Sequence, residues 1–183
     1  MLLIKPYDRM RAVEYARRWA LQRNPLFTDF TGQGGNCTNF VSQAVLAGSC
    51  VMNFTPTFGW YFISSSDRSP SWTGVEFFYN FMVTNQGVGP FMREVSRREV
   101  MIGDVIQLAN EDGDFYHTLM ITGFEGADIL VSAQSDDALD RRLSTYNYAS
   151  LRFLHVDGVR VDYPDDICFE GLINGTSIDV MRM

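Results

Sequence analysis

Residues 34–43 read Gly-Gly-Asn-Cys-Thr-Asn-Phe-Val-Ser-Gln, and this stretch limits what the chain can become more than any other. Two adjacent glycines mark a turn, after which Phe40, Val41, Ala44, Val45 and Leu46 recur at helical spacing until Gly48. Cys37 therefore opens a helix. The unpaired backbone N–H groups there, and the positive end of the helix dipole, favour a thiolate over a thiol. A thiolate is the nucleophile that cysteine hydrolases use, so Cys37 is the first candidate for chemistry.

The rest of the chain narrows the possibilities. With 183 residues, 46% of them hydrophobic and 14% aromatic, a single domain over 1–183 with a substantial core is expected. A net charge of -7 and a pI near 4.7 argue against a nucleic-acid partner, because such proteins carry basic surface to neutralise phosphates. The pairs Arg17-Arg18, Arg97-Arg98 and Arg141-Arg142 read as solvated faces. The N-terminus has a short apolar run with no basic region before it, and no later segment is apolar for long enough to span a membrane. Three cysteines are too few for a disulfide framework and show no metal-ligand spacing; Cys50 and Cys168 read as inert small hydrophobes. The expectation is a reducing compartment, hence cytoplasm, or export if a leader has been removed, with no cofactor and no metal.

Helical spacing of Met10, Val13, Ala16, Trp19 and Ala20 predicts a first helix within residues 7–23, capped by Asp8. A shorter helix is predicted at Glu76–Val83. Between them, residues 49–74 hold Ser, Pro, Gly and aromatics with no sustained period, the composition of a binding loop. Trp60, Tyr61 and Trp72 suit the lining of a substrate cleft; the competing reading is that they cover a core edge. From residue 100 the period shortens, and Val105–Leu108, Thr118–Thr122, Ile129–Ser132 and Leu151–Val156 read as strands between Gly/Asp-rich turns. Helices followed by an antiparallel meander make an α+β fold. The tail after Pro164 reads as a terminal strand or a loosely held extension.

A cysteine nucleophile works best beside an imidazole that takes its proton and returns it to the leaving amine. Only His117 and His155 are available. His117 stands at the start of an apolar strand, just after the turn Glu111-Asp112-Gly113-Asp114, where a helix N-terminus can reach it. His155 alternates with Leu154 and Val156 within a strand, the pattern of a hydrogen-bonded structural histidine.

The Gly-Gly-Asn-Cys-Thr-Asn-Phe-Val-Ser-Gln block resembles the putative amidase domain family, a branch of the papain-like cysteine hydrolases related to bacterial peptidoglycan peptidases. Tyr-Ala-x-x-Trp-Ala at residues 15–20, Arg-Asn-Pro at 23–25, Gly-Asp-Val-Ile at 103–106 and the later histidine extend the resemblance from about Tyr7 to about Val159, leaving 160–183 as a C-terminal extension. It implies a papain-like fold, with the nucleophile at a helix start packed on an antiparallel sheet, and hydrolysis of an amide bond. It also implies that His117, at the position of the family's catalytic histidine, is the general base. The family commonly carries a further histidine in a Ser-Gln-His-Thr segment, where this chain reads Ser132-Ala133-Gln134-Ser135. Gln134 is thus the candidate to orient the imidazole, through an amide oxygen that accepts its N–H. Asp136 and Asp137 are the alternatives, otherwise a solvated turn. For the oxyanion, the Cys37 N–H is one donor, and Gln33 or Asn36 is a second by proximity, although Asn36 falls where a structural role in the turn is expected. Asn39 and Gln43 read as packing or capping groups.

Two functional classes follow. One is a cysteine-dependent amidase or peptidase acting on peptide or peptidoglycan-like amides. The other is a ligand-binding or interaction module on the same scaffold, its dyad no longer competent. Oligomeric state is not legible.

Overall fold

Asp8 closes the first helical turn by accepting the Arg11 N–H at 3.1 Å, and the chain then runs as helix α1 over Arg9–Trp19. A computed structural model describes residues 1–180. The buried stripe of α1 is Ala12, Val13, Tyr15, Ala16 and Trp19; Met10, expected on that stripe, is exposed. Helix α2, Asn36–Ser49, is buried at every position. It is the central rod against which α1, the sheet and the later short helices pack. Of its polar residues, Asn36, Thr38, Asn39, Ser42 and Gln43 each have a side-chain hydrogen-bond partner, which offsets their burial, while the Ser49 hydroxyl has none among the described residues.

Gly48 does not end this helix, contrary to its reading as a stop. The helix continues to Ser49 and is capped by Cys50 in the left-handed region, φ 54°. Gly48 is required for packing instead: a Cβ there would lie 2.4 Å from the Tyr7 ring and 2.8 Å from the Asp8 carbonyl oxygen.

The irregular region expected at 49–74 contains a small ladder of β2 (Phe62–Ser64) with β3 (Asp67–Arg68), then the single turn α3, Pro70–Thr73. Helix α4 follows at Val75–Thr84, close to expectation. The sheet holds β5 (Val105–Ala109), β6 (Phe115–Glu125), β7 (Asp128–Ala133) and β8 (Ala138–Arg142) as an antiparallel meander. The long strand β9, Ser150–Val161, returns beside β5. Strand β1 (Leu3–Lys5) pairs with the far end of β9 along the edge that β5 uses, and β4 (Gly89–Val95) covers its other edge. The fold is α+β with an antiparallel sheet.

Side chains alternate between two clusters. Val105, Met120, Leu154 and Val156 join the helices in the main core. Ile106, Leu108, Leu119, Ile121 and Val131 face the other way and are enclosed with Leu143. Both faces of the central strands are buried, which explains their nearly continuous apolar runs.

The tail forms helix α5, Cys168–Asn174, and Cys168 is bonded to Cys50 through a disulfide spanning 118 positions of sequence. This corrects the reading of both as inert free thiols. Three cysteines are a pair plus one free thiol, Cys37, and the argument from cysteine count to a reducing compartment falls with it. Among the described residues no helix is long and apolar enough to cross a membrane.

Candidate active site

Cys37 occupies the first turn of α2, 5% exposed and free of any disulfide. The turn before it is built by glycines: Gly34 and Gly35 have φ of 80° and 88°, and a Cβ on Gly35 would meet the Thr73 carbonyl oxygen at 2.7 Å. Its Sγ has Thr38 Oγ1 as a neighbour at 3.8 Å.

Thr38 is the fastening between helix and sheet. Its hydroxyl shares a 2.8 Å hydrogen bond with that of Thr118, so the residues directly after Cys37 and His117 are joined. His117 stands where β6 is irregular: Leu108 pairs with His117 while Ala109 pairs with Phe115, leaving Tyr116 as an extra residue. Such a bulge re-aims side chains, and bulges are over-represented beside active sites. The Tyr116 and His117 rings lie nearly parallel at 6.4 Å, and the Tyr146 ring is 6.1 Å from His117 on centroids.

His117 is buried, and burial pushes its pKa down to about 4; the Asp136 carboxylate works against the shift and Arg141 with it. Those two charges are themselves paired at 3.2 Å. The imidazole is therefore neutral at pH 7, able to accept a proton. Tyr146 is half-buried, with the Arg141 guanidinium 3.8 Å from its ring centroid.

Gln134 does not orient this imidazole. Its amide donates to the carbonyls of Trp19 and Gln22, both at 2.9 Å, and its Oε1 accepts from Asn36 Nδ2, also at 2.9 Å. The physical reason is burial: at 2% exposure every polar atom of the amide must be satisfied, and the α1 terminus and the α2 turn supply the partners. Asn36 is the other half of that network. Its Oδ1 accepts from Phe30 N–H and Asn39 Nδ2, so it holds the turn before Cys37 and is not free to serve an oxyanion. Gln33 is exposed, with no side-chain hydrogen bond among the described residues. Asp137 takes both ends of Arg23, at 3.0 and 3.1 Å.

Trp60 and Trp72 are fully buried and line no open cleft, which corrects the expectation made for them. Their rings lie 4.8 Å apart, with the Trp72 indole N–H donating to Asn39 and that of Trp60 to Ser42. They pack beneath α2 because its polar face offers acceptors that an indole needs when buried. Tyr61, 8% exposed, packs against Phe54 at 5.8 Å.

His155 is structural, as its alternation suggests. Its Nδ1 lies 2.7 Å from the fully buried Asp104, which also pairs with Arg9 and accepts the Val156 N–H. Among the described residues no cluster of His, Cys, Asp or Glu could hold a metal ion. Thr38, Thr118 and Tyr146 were not singled out from sequence; threonines following a cysteine and a histidine, at the start of a helix and of a strand, were the only signal.

A free thiol thus stands at a helix start, and the next residue, Thr38, is bonded to the strand that carries the buried His117 ring, on an α+β scaffold. Residues 6–156 match the family model described as "Putative amidase domain", and the chain belongs to that family, whose name points to a hydrolase. The uncharacterized protein YhbB of Bacillus subtilis (strain 168) is 36% identical over 136 residues, 72% of this chain and 42% of that protein. The uncharacterized protein YjcM of the same strain is 26% identical over 145 residues, 75% of this chain and 33% of that protein. The chain thus spans less than half the length of these relatives. No solved structure is significantly similar to it.

Proposed function

We propose that the chain is a cysteine-dependent amide hydrolase of papain-like arrangement, folding as one unit, with Cys37 as nucleophile and His117 as general base and then acid. The observation that carries this is the Thr38–Thr118 bond, which fastens the start of α2 beside the strand position of His117. As Cys37 Sγ attacks the amide carbonyl carbon, its proton passes to the neutral His117 ring. The ring then gives that proton to the leaving nitrogen, the C–N bond breaks, and a thioester remains on Cys37. Water attacks the thioester, yielding a proton to His117; the carboxylic acid departs and the thiol is restored.

The Cys37 backbone N–H and the exposed amide of Gln33 are the oxyanion donors in this reading. Asp136 is the remaining orienter, since Gln134 is engaged by Trp19, Gln22 and Asn36. Peptide or peptidoglycan-like amides are the substrate class.

The test is mass spectrometry of the intact protein during incubation with peptidoglycan stem peptides. A thioester adduct on Cys37, absent from Cys37→Ala and depleted at least a hundredfold in rate by His117→Ala, is expected. Hydrolysis that survives Cys37→Ala would overturn the proposal. Saturable binding without adduct or turnover would favour the non-catalytic reading, to which the engagement of Gln134 away from His117 lends support.

A further inference from the structure

A row of polar side chains crosses the helix-facing side of the sheet, among apolar neighbours. Thr118 on β6, Gln107 on β5 and Arg152 on β9 stand directly opposite one another in the strand register. Thr118 and Gln107 are fully buried, and Arg152 is nearly so. Enclosing such groups costs stability unless each is paired, and Thr38 is the only one of their partners that lies beside Cys37. We propose that this row fixes the direction of its hydrogen bonds so that the Thr38 hydroxyl donates to Cys37 Sγ as the thiol gives up its proton. Resting on the cysteine-hydrolase reading, this makes Thr38 a catalytic residue and Gln107 and Arg152 positioning residues.

The direction is set at the far end. Arg152 has donors only, and its Nε and Nη2 lie 2.8 and 2.6 Å from Gln107 Oε1. The guanidinium is itself held by Glu76 at 2.8 Å and between the rings of Tyr79 and Phe115, whose centroids are 3.5 and 3.7 Å from its central carbon. With its oxygen so engaged, the Gln107 amide turns its N–H groups the other way. They meet the Val75 carbonyl at 3.0 Å and Thr118 Oγ1 at 3.3 Å. A guanidinium on one side and a carbonyl on the other exclude the flipped amide.

Thr118 Oγ1 therefore receives a proton, and its own goes to Thr38 Oγ1, 2.8 Å away, its remaining side-chain partner among the described residues. The Thr38 hydroxyl, once it accepts from Thr118, has Cys37 Sγ at 3.8 Å as the partner left for its proton. Catalytic hydrogen bonds that are long at rest tighten as charge develops. In the opposite direction, with Cys37 donating to Thr38 and Thr38 to Thr118, the buried Thr118 proton has no acceptor, which is costly. Ionisation of the thiol completes the row. The sulfur's proton passes to His117, both hydroxyls rotate while keeping their own protons, and the bond from Thr38 becomes one to an anion, the stronger kind.

The experiment follows alkylation of Cys37 by iodoacetamide at neutral pH, read by mass spectrometry, a reaction of the sulfur that needs no amide substrate. Thr38→Val and Thr118→Val delete the same bond between the two threonines, but only the first deletes the donor to sulfur. Thr38→Val should slow alkylation about tenfold or more, Thr118→Val about threefold at most, and Thr38→Ser should recover most of the rate. Gln107→Glu offers Thr118 an acceptor in place of a donor, so both hydroxyls turn away from the sulfur and the rate should fall about fivefold or more. Adding Thr118→Val to Gln107→Glu removes the acceptor that draws Thr38 away, and should restore the rate of Thr118→Val alone; the direct field of a carboxylate would persist and allow no such rescue. No labelling of native Cys37, a native rate in Thr38→Val, equal slowing by the two valines, or slowing by Gln107→Glu that Thr118→Val does not relieve would each overturn the proposal. Either comparison decides if a variant of the other fails to fold. The hydrolase reading fails on a different result, stem-peptide hydrolysis that survives Cys37→Ala.

Discussion

Replacing both Cys50 and Cys168 by alanine removes a covalent tie across 118 positions of sequence. In the chain-entropy treatment a loop of that length restricts the unfolded ensemble by about 5 kcal/mol. The native side of the balance reduces the loss. Helix α5 keeps other attachments, with the Ile173 carbonyl accepting from the Trp19 indole at 3.2 Å and the Leu172 carbonyl from Asn24 at 2.9 Å. Alanine is preferred to serine because Cys168 is fully buried, and a hydroxyl there would need a partner. A loss of about 3–5 kcal/mol is expected, a large part of the roughly 5–15 kcal/mol that folded proteins have in reserve. Urea denaturation at pH 7 of the oxidised chain, the reduced chain and the double variant measures it, and the reduced chain and the variant should coincide. Alkylation in urea without reductant should modify Cys37 alone, and all three cysteines once reductant is added. Three labelled cysteines without reductant, or a double variant within about 1 kcal/mol of the oxidised protein, would refute the reasoning.

Burial holds the His117 pKa near 4 against an ordinary 6.5, so the folded chain resists a proton that the unfolded chain accepts. Stability is complete above pH 6.5 and falls as pH drops through the window from 6.5 to 4; the difference between native and His117→Gln proteins across it should be about 3 kcal/mol, read from urea midpoints. Gln134→Leu leaves Asn36 Nδ2 and the Gln22 carbonyl without their partner and takes one of two donors from the Trp19 carbonyl, and should destabilise by about 2–4 kcal/mol in the same assay. Gly48→Ala sets helix propensity, a gain of about 1 kcal/mol, against a Cβ 2.8 Å from the Asp8 backbone oxygen. Backbone cannot yield as a flexible side chain does, so a net loss of about 1–3 kcal/mol, measured by thermal melting, is expected.

What sequence conveyed well was local. The glycine turn before Cys37, the helix that follows it, the Asp8 cap and the β5–β6–β7 meander all rest on patterns spanning a few residues, and all are present. The failures share one physical cause, which is partnership at long range. Strand β4 is not legible because it opens on Gly89 and Pro90, residue types that disfavour strands, yet an edge position on β9 tolerates both. The Cys50–Cys168 bond joins positions too far apart for spacing to reveal. Trp60 and Trp72 resemble cleft aromatics until Ser42 and Asn39 are seen to accept their N–H groups. Gln134 was expected to face His117, and alternation does place it on the helix-facing side of β7; which of two buried amides and carbonyls it meets there depends on how α1 ends against the turn.

The fully buried α2 connects these particulars. A helix with every residue enclosed cannot translate or rotate without breaking packing around its whole circumference, because protein interiors are packed as densely as organic crystals. Its N-terminal end is fixed by Asn36 to Gln134, in the turn after β7, and by Thr38 to Thr118 on β6. Its C-terminal end is fixed covalently to α5. Cys37 therefore sits on an element enclosed on all sides and tied at both ends, while the His117 imidazole comes from a bulged strand, where one extra residue sets the ring direction. In the proposed mechanism, a thiol on this enclosed helix and a base aimed by a local irregularity would divide the work of preorganisation unequally. Changes at Tyr116, the extra residue of the bulge, thus reach His117 directly, whereas changes along α2 other than at Thr38 reach Cys37 only through loss of stability.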